Sequence, residues 1–189
     1  LNKSFNIRGP AASPLLVYAN ANTKIGSATS SDSIKLSAKP FGIFYAKGRV
    51  MLVMGEDRQI LVSEPSVLDS AASNAQSLIV NEAVLLSGIW YDADRDLLFL
   101  TDLGDQANAS DGAILIIEGA TAKIAAGGTV SPDRKISGAS TFLGNPVGVA
   151  FDGRAGKDII YVAEKANKKV LAFQFSDDGN VAPFINVDR

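Results

Sequence analysis

Short apolar runs separated by polar turns recur along this chain. Residues 97–100 and 159–163 are two such runs, and acidic residues stand close to both ends of each. Runs of four to eight residues that are rich in branched and aromatic side chains and end at polar turn formers are typical of β-strands. The pattern therefore predicts an all-β chain of short strands joined by turns.

The strand pattern repeats in three clear segments, each of which opens with a glycine followed by small and aromatic residues. These glycines are Gly42, Gly88 and Gly148, about 46 and 60 residues apart, and a fainter relative lies at 15–19. A period of roughly 40–50 residues fits a four-stranded antiparallel blade, and such blades stack radially into a β-propeller. The sequence predicts a single propeller domain or propeller fragment with about four blades, at residues 1–38, 39–84, 85–144 and 145–189.

The pattern weakens from the inner to the outer strand of each predicted blade. The second strands are almost continuously apolar, which requires cover on both faces. The weakest segments, 121–126 in blade 3 and 181–187 in blade 4, are predicted to be outermost strands that meet water. The wide spacing before Gly148 indicates a long connection at 130–143, and residues 64–76, rich in Ser and Ala, are predicted to be a loop.

Blade 4 resembles an NHL repeat. It carries NPVGVAFD at 145–152, YVAE at 161–164 and NKKVLAF at 167–173. The NHL pattern combines Pro-x-Gly-hydrophobic-Ala-x-Asp, Tyr-Val-Ala-Asp and Asn-x-x-hydrophobic-x-x-Phe, so Glu164 stands where Asp is usual. The resemblance implies a β-propeller and covers the other blades only loosely.

The blade number leaves three alternatives open. NHL-like propellers usually have six or seven blades, which need more than 189 residues. The chain is therefore a part of a larger propeller, a compact four-bladed ring, or one member of an assembly that completes a ring or a stack. An open blade exposes an apolar face and strand edges. The expected partners are proteins: the remaining part of the same propeller, another protein, or further copies in a homo-oligomer.

The amino-acid composition excludes several kinds of catalytic and structural site. The chain contains no Cys and no His, which excludes disulfides, thiolate nucleophiles and a His general base. The net charge is −2, so we expect no nucleic-acid partner, and the basic edge of blade 4 is attributed to protection of strand edges. The chain has no run of about 18 apolar residues, so we expect no membrane span.

Acidic and amide residues cluster in connections that are expected on one rim of the propeller. Oxygen ligands suit calcium or magnesium and not zinc. The sequence therefore predicts a calcium or magnesium site, and no other cofactor, at four residues: Asp102, Asp105, Asp111 and Glu164. The predicted ligand-binding rim adds five more: Glu56, Asp57, Asn108, Asn145 and Asn167. The alternative is that these side chains cap turns and face solvent.

The segment DADRD at 92–96 resembles the start of a calcium-binding loop, because alternate carboxylates can converge on one cation. However, Leu97 and Leu103 stand where such a loop requires Gly and Glu. We therefore predict a charged hairpin turn here.

The preferred function is a non-catalytic binding or assembly module of a secreted or cell-surface protein, extracellular or periplasmic, that uses a propeller rim for ligand or protein contacts. One alternative is a metal-dependent hydrolase, because the gluconolactonase and senescence-marker propellers, to which the chain is distantly similar, use calcium-type rim sites for lactone hydrolysis. Another is a structural subunit whose exposed blade faces build an oligomer. No catalytic residue is predicted, and an enzyme is the less favoured interpretation.

Overall fold

The computed structural model of the chain describes residues 3–7, 15–19, 32–34, 36, 39–64 and 75–188. The described strands form four sheets that follow one another along the chain. Blade 1 contains β1 Lys3–Ile7, β2 Leu15–Ala19 and β3 Asp32–Ile34. Blade 2 contains β4 Pro40–Ala46, β5 Arg49–Met54, β6 Gln59–Ser63 and β7 Gln76–Val80. Blade 3 contains β8 Leu86–Asp92, β9 Leu97–Asp102, β10 Ala113–Glu118 and β12 Arg134–Ser137. Blade 4 contains β13 Pro146–Asp152, β14 Ile159–Glu164, β15 Lys169–Gln174 and β16 Ile185–Asp188.

Consecutive strands of each blade pair in antiparallel order from the inner strand outwards. The first strands of the blades lie side by side, because β1 contacts β4, β4 contacts β8, and β8 contacts β13. The sheets are therefore arranged radially, with one edge of each directed inwards. This arrangement confirms the prediction of an all-β chain built from propeller blades.

Among the described residues, two apolar cores fill the spaces between blades 2, 3 and 4. The first lies between blades 2 and 3, and the second lies between blades 3 and 4. Phe99 of β9 stacks on Phe151 of β13 in the second core, with 4.6 Å between ring centroids. All six residues of β9 are buried, which agrees with the continuous apolar pattern of this strand. The blades are therefore held together mainly by the faces of their sheets.

The prediction of an outer strand at 121–126 is wrong, because these residues belong to helix α1, Ala120–Ala126. Alanine is the strongest helix former, and ATAKIAA contains four alanines. Ala120 and Ile124, four residues apart, are the buried positions and enter the core between blades 2 and 3. The outer strand of blade 3 is instead β12, inside the connection predicted at 130–143.

The other predicted outer segments are shifted or lie partly outside the described residues. In blade 4 the outer strand is β16, which begins at Ile185 and not at residue 181. The loop predicted at 64–76 lies outside the described residues, apart from its ends at 64, 75 and 76.

Connecting segments within blades 3 and 4 also pair with the preceding blade. A fifth strand, β11 Gly128–Val130, lies in the sequence of blade 3 but pairs in parallel with β7 of blade 2.

A second connection makes the same kind of contact. Gly179, between β15 and β16, forms a parallel bridge to Ile136 of β12. The Ser137 N–H donates to the Gly179 carbonyl, and the Gly179 N–H donates to the Lys135 carbonyl. We refer to the pairing of Gly128 with Leu78 and of Gly179 with Ile136 as the cross-blade bridges. Both tie the outer strand of one blade to the following blade.

Inner strands approach each other so closely that a side chain would not fit at two glycines. A Cβ atom at Gly42 would lie 2.4 Å from the Ser87 carbonyl oxygen. A Cβ atom at Gly88 would lie 2.7 Å from the Thr101 hydroxyl and 2.9 Å from the Gly148 Cα. These contacts are with backbone or buried atoms that cannot move away freely. The opening glycine of the repeat is therefore required by contact with the next blade.

We expect Gly88→Ala to lower the free energy of unfolding by about 2 kcal/mol, because the added methyl forces β8 and β13 apart. Urea unfolding followed by tryptophan fluorescence measures the change. Ala107→Ser, in an exposed loop, is the control and should stay within about 0.5 kcal/mol of the unsubstituted chain. Equal stability of Gly88→Ala and this control would contradict the prediction.

Candidate functional site

Two of the predicted metal ligands occupy equivalent places at the end of a second strand. Asp102 ends β9 opposite Leu86, and Glu164 ends β14 opposite Pro146. In each case the opposite residue is the first residue of the inner strand of the same blade. Both carboxylates therefore lie at the rim where the chain enters a blade.

Asp102 is 2% exposed and accepts three backbone hydrogen bonds. The N–H groups of Val84 and Leu85 donate to its two oxygens at 2.9 and 2.7 Å, and the Gly104 N–H donates at 3.1 Å. Charge-assisted hydrogen bonds of this kind are stronger than those between neutral groups. Asp102 thus fixes the start of the inner strand and the loop that follows β9.

Glu164 makes the same type of contact in blade 4. It is 4% exposed, and it accepts hydrogen bonds from the N–H groups of Asn145, Ala166 and Asn167. Its carboxylate therefore joins the start of β13 to the turn between β14 and β15. The turn-capping alternative describes these contacts.

Blade 2 lacks this carboxylate. Met54, opposite Pro40, stands at the matching place and is almost fully buried. The predicted rim residues Glu56 and Asp57 lie two and three positions later, in the turn between β5 and β6, and both are exposed. The structure thus places Glu56 and Asp57 on the corresponding turn, and among the described residues they make no contacts like those of Asp102 and Glu164.

Two of the three predicted rim amides, Asn145 and Asn167, connect blades 3 and 4. The Asn145 side-chain amide donates to the Leu103 carbonyl at 3.1 Å. The Asn167 amide donates to the Ala109 carbonyl at 3.2 Å and to the Phe142 carbonyl at 3.1 Å. Leu103 and Ala109 belong to the loop after β9, so both amides hold that loop against blade 4.

The loop at 103–112 contains the other predicted ligands. The Asp105 N–H donates to Asp111 Oδ2 at 3.1 Å, and Asp105 Oδ1 accepts from the Ala107 N–H at 2.9 Å. Asn108 Oδ1 accepts from the N–H and the hydroxyl of Ser110. Among the residues that the structure describes, no three carboxylates form a group that could hold a metal ion. Calcium or magnesium binding at Asp102, Asp105, Asp111 and Glu164 stays a prediction.

One exposed aromatic residue beside this loop is not singled out by the sequence. Phe142 is 45% exposed and has a backbone φ of 59°, a left-handed conformation that is rare for a bulky residue. Its carbonyl is held by Asn167, and the Lys169 ammonium lies 5.9 Å from its ring centroid. We call Phe142 together with the exposed residues 105–111 the rim platform. The rim platform combines an exposed aromatic ring with a loop that carries two exposed carboxylates, Asp105 and Asp111.

The segment at 92–96 forms the turn between β8 and β9, as predicted. Its last residue, Asp96, caps the start of helix α1. Asp92 Oδ1 accepts from the N–H groups of Asp94 and Arg95, which closes the turn. Asp96 Oδ1 accepts from the Thr121 N–H, the Thr121 hydroxyl and the Tyr91 hydroxyl. Since the N-cap position of α1 is a glycine without a side-chain cap, Asp96 supplies that cap from another element.

These contacts shift the titration of Asp96. Partial burial raises the pKa of Asp96, but hydrogen bonds from Thr121 and Tyr91 outweigh it and hold the pKa below the ordinary 3.8. A carboxyl whose pKa is lower in the folded chain stabilises the fold when it is ionised. That contribution is present above about pH 4 and is lost as the pH falls through the folded-state pKa.

We therefore expect Asp96→Asn to reduce the fall of the melting temperature between about pH 5 and about pH 2.5. Asn tolerates the left-handed backbone at this position, where φ is 56°, so the turn is kept. Circular dichroism melting at several pH values measures the effect. Asp94→Asn, in the same turn but without a contact to α1, is the control. A pH dependence equal to that of the unsubstituted chain would contradict the role of Asp96.

We expect Glu164→Gln to lower the free energy of unfolding by about 2 kcal/mol, because an amide has one acceptor oxygen for three backbone N–H donors. Glu56→Gln, which changes an exposed carboxylate of the same rim, should stay within about 0.5 kcal/mol. Urea unfolding measures both.

Repeating the unfolding with calcium, with magnesium and with a chelator tests the metal prediction. A cation that binds the folded chain raises its stability. Stabilisation of the unsubstituted chain that is absent in Glu164→Gln would favour the metal site. A loss of stability smaller than about 0.5 kcal/mol in Glu164→Gln would contradict the capping role.

Comparison with known proteins finds likeness in structure only. The sequence matches no protein-family profile and no curated protein. A chain of hydrazine synthase from Kuenenia stuttgartiensis matches with a TM-score of 0.59 and 13% identity, over 92% of this chain and 42% of that one. The WD40 domain of coronin from Toxoplasma gondii matches with a TM-score of 0.58 and 13% identity, over 100% of this chain and 45% of that one.

The chain spans less than half the length of either structure. At 13% identity such likeness shows the fold alone, and WD40 domains are β-propellers. The closer resemblance to NHL repeats and to the gluconolactonase group stays a prediction. Blade stacking, inner-strand contacts and likeness to a WD40 domain together identify this chain as a set of consecutive β-propeller blades.

Proposed function

We propose that the chain is a non-catalytic module that binds a protein partner through the rim platform. Its likeness to a WD40 propeller supports a protein-interaction module. The observation that carries the proposal is the exposed Phe142 in a fixed, rare backbone conformation beside a pinned acidic loop. Aromatic residues are enriched among those that contribute most to protein–protein binding.

The rest of the rim supports binding rather than chemistry. Asp102 and Glu164 are engaged by backbone N–H groups, and Asn145 and Asn167 hold the loop in place. These polar groups therefore maintain the shape of the platform. A surface that is already ordered loses little conformational entropy when a partner binds.

The chemistry of the platform indicates the kind of partner. Asp105 and Asp111 are exposed in the loop that Asn167 joins to the Phe142 carbonyl, and the Lys169 ammonium lies 5.9 Å from the Phe142 ring centroid. A partner that fits this surface offers an apolar pocket for the ring, with basic groups facing the acidic loop. The proposed secreted or cell-surface location rests on the sequence and stays a prediction.

The decisive variant is Phe142→Ala, and the matched control is Phe184→Ala. Phe184 is 49% exposed and lies in the outer part of blade 4, away from the platform. Each protein is immobilised and exposed to the surface and secreted proteins of the organism that produces it. We expect at least one protein to be retained by the unsubstituted chain and by Phe184→Ala, and lost from Phe142→Ala.

The retained protein is then purified and its affinity is measured by calorimetry. Removal of a central aromatic anchor typically weakens binding by roughly 30-fold. If every retained protein binds both variants with equal affinity, the rim platform is not the binding surface.

A further inference from the structure

A small cavity lies between blades 2 and 3, at the end of the sheets opposite the rim. Its volume is about 220 Å³, and strands β5, β6 and β8 and helix α1 line it. The turn between β4 and β5 contributes to its lining, whereas Asp102 and Glu164 stand at the other ends of their strands. The cavity and the rim platform are therefore separate sites.

One part of the cavity lining is apolar. Met51, Val62 and Ile124 belong to the core between blades 2 and 3, and none of them is more than 3% exposed. Protein cores contain few spaces larger than a water molecule, and an apolar cavity of about 150 Å³ can hold benzene. A cavity of about 220 Å³ therefore has room for a ring or a short chain together with a small polar group.

Two cations, Lys47 and Arg49, line the same cavity. Arg49 is half-buried, and its Nη1 donates to the Gln76 side-chain oxygen at 3.5 Å, a long distance for a hydrogen bond. Among the described residues, no carboxylate forms an ion pair with either cation. Arginine side chains that leave water are normally paired with an anion, and a guanidinium has five N–H donors. Arg49 therefore has donors to offer to an anionic ligand.

The other polar groups of the lining are already engaged. The hydroxyl groups of Tyr91 and Thr121 both donate to Asp96 Oδ1, at 2.7 and 2.6 Å. The Lys47 ammonium donates to the Ala93 carbonyl, and its charge also lowers the pKa of Asp96. None of the described residues that line the cavity is acidic. Arg49 is therefore the main anchor for an anion, and Lys47 adds a second positive charge.

We propose that this cavity binds a small carboxylate whose body is an aromatic ring or a short aliphatic chain. The body contacts Met51, Val62 and Ile124, and the carboxylate accepts hydrogen bonds from Arg49. A guanidinium can meet both oxygens of a carboxylate with two parallel N–H bonds. A mostly apolar pocket with a few polar groups that fix the orientation of the ligand is typical of small-molecule sites.

The inference goes beyond the proposed function, because it concerns a small molecule at the opposite end of the sheets from Phe142. A ligand in the cavity contacts blade 2 and blade 3 together, so its binding stabilises the folded chain. Binding of the carboxylate and binding of a protein at the rim platform therefore fail or succeed separately.

Calorimetric titration with benzoate tests the proposal. We expect benzoate to bind with a dissociation constant in the millimolar range or below. Benzamide keeps the ring without the charge, benzylamine reverses the charge, and acetate keeps the carboxylate without the ring. Each of these three should bind roughly tenfold more weakly than benzoate, or not at all. Hexanoate, which replaces the ring with a chain, should bind as a carboxylate does.

Three variants locate the site. Arg49→Gln should weaken benzoate binding by roughly tenfold or more, because the carboxylate loses its charged donor. Val62→Phe should prevent binding by filling the apolar part of the cavity, while both cations stay in place. Arg58→Gln is the matched control, since Arg58 is exposed in the turn at the other end of β5. Phe142→Ala should bind benzoate as the unsubstituted chain does.

Circular dichroism checks that each variant is folded, and Val62→Phe and the four probes still decide the question if Arg49→Gln does not fold. Absence of binding by both benzoate and hexanoate at millimolar concentrations would overturn the proposal. Equal binding of benzamide and benzoate would overturn it too. The same holds for an affinity that Arg49→Gln leaves unchanged, or that Arg58→Gln lowers equally.

Discussion

The close approach of neighbouring inner strands is the constraint on which this structure depends. Sheets that pack face to face usually keep their backbones about 10 Å apart. Near the axis, however, Gly42 and Gly88 bring backbone atoms of successive blades into direct contact. The spacing at the centre fixes the angle between blades, and the larger side chains of β9 and β10 fill the wider space further out. The order of small inner residues and large outer residues in each repeat follows from this wedge shape.

The rim carboxylates meet a second requirement of the same geometry. Blades 3 and 4 each begin with a segment that leads into the inner strand, and N–H groups of this segment have no strand partner. Asp102 and Glu164 satisfy these groups from the end of the neighbouring strand. The acidic side chains that resemble metal ligands in the sequence therefore bind backbone N–H groups and maintain the shape of the rim. Asn167, which follows Glu164 in the same turn, joins the loop after β9 to the Phe142 carbonyl.

The sequence predicts the inner part of each blade better than the outer part. Inner strands carry a strong local signal, since Gly148 and the apolar run at 159–163 are both near in sequence and near in space. The outer strand β12 contains Arg134 and Lys135 and has no such signal. The segment at 121–126 fits a weak strand or a helix, and only packing of Ile124 against blade 2 decides between them. The pairing of Gly128 with Leu78 joins residues 50 positions apart, so no local pattern reveals it.

At the candidate site, too, the sequence predicts the features that have a local signal and misses those set by long-range contacts. Residue type and spacing identify Asp102, Glu164, Asn145 and Asn167 as members of one rim, but the sequence does not say which donors their oxygens meet. Phe142 carries no signal at all, because an aromatic residue between Thr141 and Leu143 fits a buried segment equally well. The left-handed backbone that turns its ring outwards arises from the turn after residues 139–141.

The cross-blade bridges also bear on how the chain folds and where it can be divided. The sheet of blade 2 gains its fifth strand only when residues 128–130 of blade 3 are present. Blade 3 in turn receives Gly179 from blade 4. A division of the gene between blades would therefore separate hydrogen-bonded strands, although it falls between sheets in the linear sequence. During synthesis, blades 2 and 3 therefore complete their hydrogen bonds only after the following blade has been made. The blades are expected to assemble in order along the chain.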